Sequence, residues 1–208
     1  MYMDIEFKKS QKGLLYVVSA PSGAGKTSLC KEVIRRIPNL EHSISYTTRK
    51  PRWDEVDGVD YHFVTPEVFQ DMIRKGEFAE YALVHGHLYG TGLKITEEKL
   101  AKGISLVLDI DVQGADQLRR RYPEGVFIFV LPPFFSLLRK RLLERHSDSA
   151  DEIERRLVKA YEEIKHYKKY HYIIINDNLE KAVEEFCAII LAEQCRAFRI
   201  TAHPDICS

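Results

Sequence analysis

The sequence predicts an α/β protein whose core has three layers, a parallel sheet with helices on both faces. Three observations carry this. Four short apolar runs, at residues 14–19, 105–109, 126–131 and 172–176, are continuous rather than alternating, as expected of strands buried on both sides. Longer amphipathic stretches separate them, as crossovers between parallel strands require. A glycine-rich turn joins the first run to the first helix.

Taken in order, residues 14–19 form a strand that enters the turn, and a helix of about three turns follows and ends near Ile37, before Pro38. Residues 41–103 then break the rhythm. They hold short strand-like pieces, turn signals at Asp57-Gly58 and His85-Gly86, and one clear helix with Thr65 as N-cap, Pro66 at its first position and Gly76 past its end. This segment reads as an insertion. The core resumes with a strand at 105–109 and helical patterns at 113–122, 134–145, 150–169 and 179–199 around the remaining strands. Ser149-Ala150-Asp151-Glu152 is a capping box that opens the third of these helices. The organisation predicted is core 1–40, insertion 41–103, core 104–135, a further segment 136–159, and core with C-terminal helix 160–208. The tail 198–208 carries no readable pattern.

Composition excludes several functions. The 31 basic and 31 acidic residues balance, whereas a non-specific nucleic-acid binder needs a basic excess to displace counterions. Residues 1–12 mix charges and lack the apolar centre of a secretory signal. The most apolar stretch, 126–138, contains Pro132 and Pro133 and is too short to span a bilayer. The four cysteines, Cys30, Cys187, Cys195 and Cys207, form no Cys-x-x-Cys pair, which predicts free thiols and a cytoplasmic protein. Cys207 with His203 supplies two ligands on a tail, too few for a metal site.

The turn reads Ala20-Pro21-Ser22-Gly23-Ala24-Gly25-Lys26-Thr27, followed by Ser28. This is the phosphate-loop motif G-x-x-x-x-G-K-[ST] with Ala20 in place of the first glycine, set between a buried strand and a helix. Its glycines let consecutive N–H groups point inward at phosphate oxygens, and the helix adds the positive end of its dipole. Lys26 is placed to reach the β- and γ-phosphates and Thr27 to put its hydroxyl on Mg²⁺. Ala20 implies a negative φ at that position, since a Cβ must fit. The motif predicts a phosphate-loop NTPase core that binds ATP.

A second anion site is signalled by Ser45-Tyr46-Thr47-Thr48-Arg49-Lys50-Pro51-Arg52, in which two arginines flank a stiffening proline. Arginine's planar fork suits bidentate phosphate contact. Tyr61 and Tyr89 can add phenolic hydroxyls, and Glu80 can read a base edge. Together with Gly58-Val59-Asp60-Tyr61-His62-Phe63-Val64, Glu77-Phe78-Ala79-Glu80-Tyr81-Ala82, Leu88-Tyr89-Gly90-Thr91, Leu108-Asp109-Ile110-Asp111-Val112-Gln113-Gly114 and Ile175-Asn176-Asp177, these segments resemble the guanylate kinase family from about Gly13 to Arg196.

The resemblance implies a GMP-binding insertion at 41–103 and a helical lid at 136–159. It implies that Arg49, Arg52, Tyr61 and Tyr89 hold the GMP phosphate and that Ser45, Glu80, Thr91 and Asp111 read the guanine. The chemistry agrees: guanine offers two adjacent donors, N1–H and its amino group, to one carboxylate, whereas adenine would leave Glu80 mispaired. No residue in this set is assigned to the ribose 2′-hydroxyl, so dGMP is an expected acceptor too. Arg145 and Arg156 would reach the transferring phosphoryl group, and Arg141 and Asn176 would lie near the adenine. The chain departs from the family pattern at His146, usually glycine, and at Asn178, commonly aspartate. The family allows a homo-oligomer.

Asp109 ends an apolar strand, where such enzymes place an acid that supports Mg²⁺. Side-chain alternation puts Asp111 on the same face, which leaves the split of roles between the two open. No general base is needed. A phosphomonoester has its second pKa near 6, so GMP arrives as a nucleophilic dianion, and positioning with charge neutralisation suffices. The rival reading is a guanylate-kinase-like protein-binding module, which would typically lack the loop residues Lys26 and Thr27.

Overall fold

The computed structural model describes residues 7–84, 86–143 and 150–202. Its elements run β1 (Phe7–Lys9), β2 (Leu15–Ser19), α1 (Lys26–Arg36), β3 (Leu40–His42), β4 (Tyr46–Thr47), β5 (His62–Phe63), α2 (Pro66–Arg74), β6 (Phe78–Val84), β7 (His87–Gly92), α3 (Leu93–Ala101), β8 (Ser105–Asp109), α4 (Val112–Arg121), β9 (Val126–Leu131), α5 (Phe135–Leu143), α6 (Ala150–Ile164), β10 (Tyr172–Ile175), α7 (Leu179–Glu193) and β11 (Ile200–Ala202).

Five strands form one parallel sheet in the order β10-β9-β2-β8-β3. The period-2 geometry of a strand divides its side chains between two cores. On one face Tyr16, Val18, Ile128, Val130 and Ile174 meet Leu29, Cys30 and Val33 of α1 and Val183, Phe186 and Ile190 of α7. On the other, Leu15, Val17, Leu108, Phe127 and Phe129 meet Leu100 of α3 and Ala115 and Leu118 of α4. Tyr16, Phe127, Phe129 and Phe186 are fully buried, each contributing roughly 2–3 kcal/mol of transfer free energy. The fold is therefore α/β with helices on both faces of a parallel sheet.

A second sheet, in the order β5-β4-β7-β6, is built from residues 46–92, with β6 and β7 as an antiparallel hairpin. Phe69 of α2 stacks on Phe78 of β6 at 4.4 Å between centroids. β3, although it begins at Leu40, belongs to the parallel sheet. The segment 41–103 thus starts inside a core strand.

Helix ends follow local chemistry. Thr65 caps α2 through Val68 N, Pro66 stands at its first turn, and Gly76 takes φ 67° beyond its end. Asn178 caps α7 through Lys181 N, and Asn and Asp cap about equally well, so the departure from aspartate there is conservative. Two helices stop earlier than the sequence predicts. α7 ends at Glu193 rather than Arg199, and α6 ends at Ile164 with a separate 3-10 turn at Tyr167–Lys169. The unreadable tail contributes β11, which pairs antiparallel with β1. The capping-box residue Ser149, Arg145 and His146 lie outside the described residues, as do Cys207 and His203. Cys30, Cys187 and Cys195 are free thiols. Among the described residues no helix is long and apolar enough to cross a membrane.

Candidate functional site

The site lies beyond the C-terminal ends of β2 and β8, neighbours in the sheet, which is where open α/β sheets bind ligands. β2 leads into the loop and β8 ends at Asp109. Gly23 (φ 90°) and Gly25 (φ 86°) give the loop its left-handed turns, while Ala20 is not among the positive-φ residues. Gly25 is the N-cap of α1 and supplies no side-chain cap, and the first turn holds no acid. The first N–H groups of α1 therefore face the loop's hollow with the helix dipole behind them.

Lys26 Nζ pairs with Asp109 Oδ1 at 2.5 Å and donates to the Ile110 carbonyl at 3.0 Å. Thr27 Oγ1 donates to Asp109 Oδ2 at 3.1 Å. Burial opposes the charge of Lys26, but Asp109 outweighs it and holds the ammonium above its ordinary pKa. Behind the loop, Asn176 Nδ2 donates to the Ala24 carbonyl at 2.8 Å and Arg141 Nη1 to the same carbonyl at 3.4 Å. A Cβ on Gly25 would sit 2.5 Å from Asn176 Nδ2. Asn176 and Arg141 thus brace the loop from the side away from its hollow.

Glu80 sits on β6, 4 % exposed. Its cross-strand neighbour Thr91 donates Oγ1–H to Glu80 Oε1 at 2.6 Å. Burial pushes the Glu80 carboxyl up to about 7, with nearby Asp111 adding to the rise and the Thr91 hydrogen bond working against it. A Cβ at Gly114 of α4 would overlap Glu80 Oε2, so the glycine makes room for the carboxylate. Asp111 is not on β8. It is the N-cap of α4, and its Oδ1 accepts from Gln113 N at 3.1 Å and Gly114 N at 3.0 Å. The strand-alternation argument for its direction therefore does not apply, because the chain turns after Asp109.

One cleft of about 320 Å³ joins these parts. All of Ala20 to Ser28 line it, with Ser45, Arg52, Tyr61, Glu80, Tyr89, Asp109, Asp111 and Arg156. Burial raises the Tyr61 phenol to about 12, which keeps it protonated and able to donate at neutral pH. Four sequence-predicted residues are off the wall. Thr91 lies behind Glu80, Arg141 and Asn176 lie behind the loop, and Arg49 is held by Glu55 at 2.7 and 2.8 Å. Arg145 lies outside the described residues.

The sequence profile described as guanylate kinase matches residues 12–193. The chain belongs to the guanylate kinase family. A guanylate kinase of Geobacter metallireducens is 54% identical over 190 residues, covering 91% of this chain and 94% of that one. One from Syntrophotalea carbinolica is 56% identical over 190 residues, covering 91% and 90%. The crystal structure of guanylate kinase from Anaplasma phagocytophilum is 32% identical, with a TM-score of 0.78 over 93% of this chain and 92% of that chain.

Within this guanylate kinase fold the cleft also has walls that sequence reasoning missed: Ala82, Val84, Ile110, Lys159 and Glu163. Glu163 is buried, its carboxyl raised by burial against the opposing pull of Lys159 and Lys26. The only sequence signal for Lys159 and Glu163 is their spacing on one face of α6, four residues apart, and a solvated helix face gives the same spacing.

Proposed function

We propose that this protein transfers the γ-phosphoryl group of ATP to GMP, and to dGMP, giving ADP and GDP. The observation that carries this reading is a single cleft that connects the phosphate loop to a buried carboxylate on the second sheet. A loop with free helix N–H groups fits a triphosphate. A buried carboxylate with one edge free fits a base that presents two adjacent donors, which among the common nucleobases favours guanine over adenine.

In this reading the loop from Ala20 to Ser28 and Lys26 hold the donor phosphates. Arg49, Arg52, Tyr61 and Tyr89 serve the acceptor phosphate. Ser45, Glu80, Thr91 and Asp111 serve the base, with Thr91 acting through its hydrogen bond to Glu80. Arg156 of α6 faces the same cleft and serves the transferring group, joined by Arg145, while Arg141 and Asn176 steady the loop near the adenine. Thr27 and Asp109 offer the hard oxygen donors that Mg²⁺ prefers, and they meet at 3.1 Å. They would hold an ion that neutralises charge on the donor phosphates. The acceptor is a dianion and needs no base. The residues' work is alignment, charge neutralisation and exclusion of water. Three free thiols support a reducing, cytoplasmic setting.

The test is ADP formation from ATP and Mg²⁺ with GMP, dGMP, AMP, CMP and UMP as acceptors. Turnover with GMP and dGMP, at least a hundredfold above the others, is expected. Equal turnover with AMP, or none with any nucleotide in a folded protein, would sink the reading. A narrower expectation concerns Gly114. Gly114 stands in the first turn of α4 without a positive φ, so the helix backbone itself accepts alanine there. Alanine must however displace the Glu80 carboxylate. Gly114→Ala should therefore raise the KM for GMP about tenfold while leaving the KM for ATP and the melting temperature near wild type. An unchanged KM for GMP would show that Glu80 does not need this space.

A further inference from the structure

Glu55 is the best-connected carboxylate in the loop between β4 and β5. It grips the Arg49 guanidinium with both oxygens, Nη1 to Oε2 at 2.8 Å and Nη2 to Oε1 at 2.7 Å. The two side chains are only 15% and 12% exposed. Glu55 Oε2 also accepts from the backbone N of Arg52 at 2.7 Å, so the same carboxylate fixes the base of the second arginine. Arg49 holds Glu55 well ionised, below the usual range of a glutamate.

The consequence runs through Arg49. Its Nη1 also donates to the Lys50 carbonyl at 2.8 Å, and its Nε donates to the Tyr89 hydroxyl at 3.2 Å. Four of the five guanidinium N–H groups thus face protein acceptors. The decisive contact is the last. Because Nε–H donates to it, the Tyr89 oxygen is an acceptor on that side, and its own hydrogen must point elsewhere. Tyr89 lines the cleft, and among the described residues its hydroxyl donates to no protein group. The Tyr61 ring packs edge-on against Tyr89 at 5.8 Å and under Arg49 at 5.4 Å, which limits how either can turn.

We infer that Glu55 is a positioning residue for the acceptor phosphate, orienting Arg49 so that Arg49 Nε sets the Tyr89 O–H into the cleft. The inference rests on the proposed function, since it takes the anion in this part of the cleft to be the phosphate of GMP.

The test uses Glu55→Gln, alone and with Tyr89→Phe. Glutamine keeps the shape but turns an N–H₂ towards an Arg49 nitrogen that also donates, so the guanidinium swings and Nε leaves Tyr89. GMP dissociation constants are measured by calorimetry without ATP, and kcat and the KM for ATP are measured at saturating GMP. Glu55→Gln is expected to weaken GMP binding about tenfold, with kcat and the KM for ATP within about twofold, and to lower the melting temperature by a few degrees, because the buried Arg49 charge loses its partner. In the Tyr89→Phe background the same change should cost less than about threefold, because coupled residues are not additive. Full additivity, or unaltered GMP binding in the single variant, would overturn the inference. So would a loss of kcat and melting temperature with GMP binding unchanged, the mark of a structural ion pair. Wild-type protein that binds GMP yet transfers nothing to it would overturn the proposed reaction and leave the positioning role standing on the binding data.

Discussion

Lys26→Met lowers kcat for GMP phosphorylation by about a thousandfold, the scale seen when one preorganised donor to a developing charge is removed. The KM for GMP should move less than about threefold, because Lys26 belongs to the loop and GMP to the other end of the cleft. The variant should also lose stability. Lys26 and Asp109 are paired at 2.5 Å with side chains 19% and 16% exposed, and removing one partner leaves a carboxylate poorly solvated and uncompensated, at a cost of about 1–3 kcal/mol. Adding Asp109→Asn removes the stranded charge. The double variant should therefore regain most of the stability and none of the activity. Steady-state rates and urea denaturation of the three proteins decide the matter. A kcat within tenfold of wild type in Lys26→Met would remove this lysine from the proposed mechanism.

The parallel sheet was legible because its strands are buried on both faces, so that 126–131 and 105–109 read as continuous apolar runs with the same bounds they have in the structure. α2 was legible from its ends, where Thr65, Pro66 and Gly76 each do one local job. What stayed hidden depends on tertiary partners. β1 and β11 are three residues each, and Phe7 and Ile200 are exposed, so no periodicity marks them. α7 stops at Glu193 without a glycine or proline, and its sequence would continue as a helix if the chain did not turn there. The 3-10 turn at Tyr167–Lys169 follows α6 with no glycine or proline between them, which made α6 read longer than it is.

The site divides in the same way. The phosphate loop is a contiguous motif whose physics is local, so eight residues announce it. The residues on the second sheet are scattered over 45–91, and in the sequence only the order and spacing of several short segments link them. Glu55 escaped notice because a loop glutamate near two arginines reads as a surface charge. Its burial and its bidentate grip on Arg49 depend on the path of the loop between β4 and β5, which no local pattern marks. Asp111 shows the converse limit. The sequence placed an acid two residues past a strand end, but its use as a helix cap depends on where the chain turns.

Glu80→Gln should abolish the preference for GMP and, in the same molecule, make the fold more stable. Guanine's N1–H and amino group would face an amide that presents a donor of its own, and two mispaired polar groups at about 2 kcal/mol each amount to roughly a thousandfold in kcat/KM. The stability gain follows from burial. The Glu80 carboxyl is pushed from an ordinary 4.5 up to about 7 in the folded protein. Its neutral form therefore favours the fold, a contribution fully present below 4.5 and lost as pH rises through 7. At pH 8 the charged carboxylate costs about 3 kcal/mol relative to a neutral isostere, and at pH 5 less than about 1 kcal/mol. Glu80→Gln should melt later than wild type at pH 8 and alike at pH 4.5. GMP binding must draw on the same proton, because only the carboxylate can accept two donors. Calorimetry at pH 7 in buffers of different ionisation enthalpy should show wild type releasing about half a proton as GMP binds, beyond the small share from the phosphate itself, whose pKa is near 6. Binding should strengthen with pH up to about 7 and level off above it. Proton release that persists unchanged in Glu80→Gln would assign the proton to another group, and a variant that melts earlier at pH 8 would show that Glu80 is not held against its charge. A base reader kept costly to ionise until its base arrives ties acceptor choice to the burial of one side chain, which is why Thr91 and Gly114, neither of them facing solvent, belong to the specificity of the site.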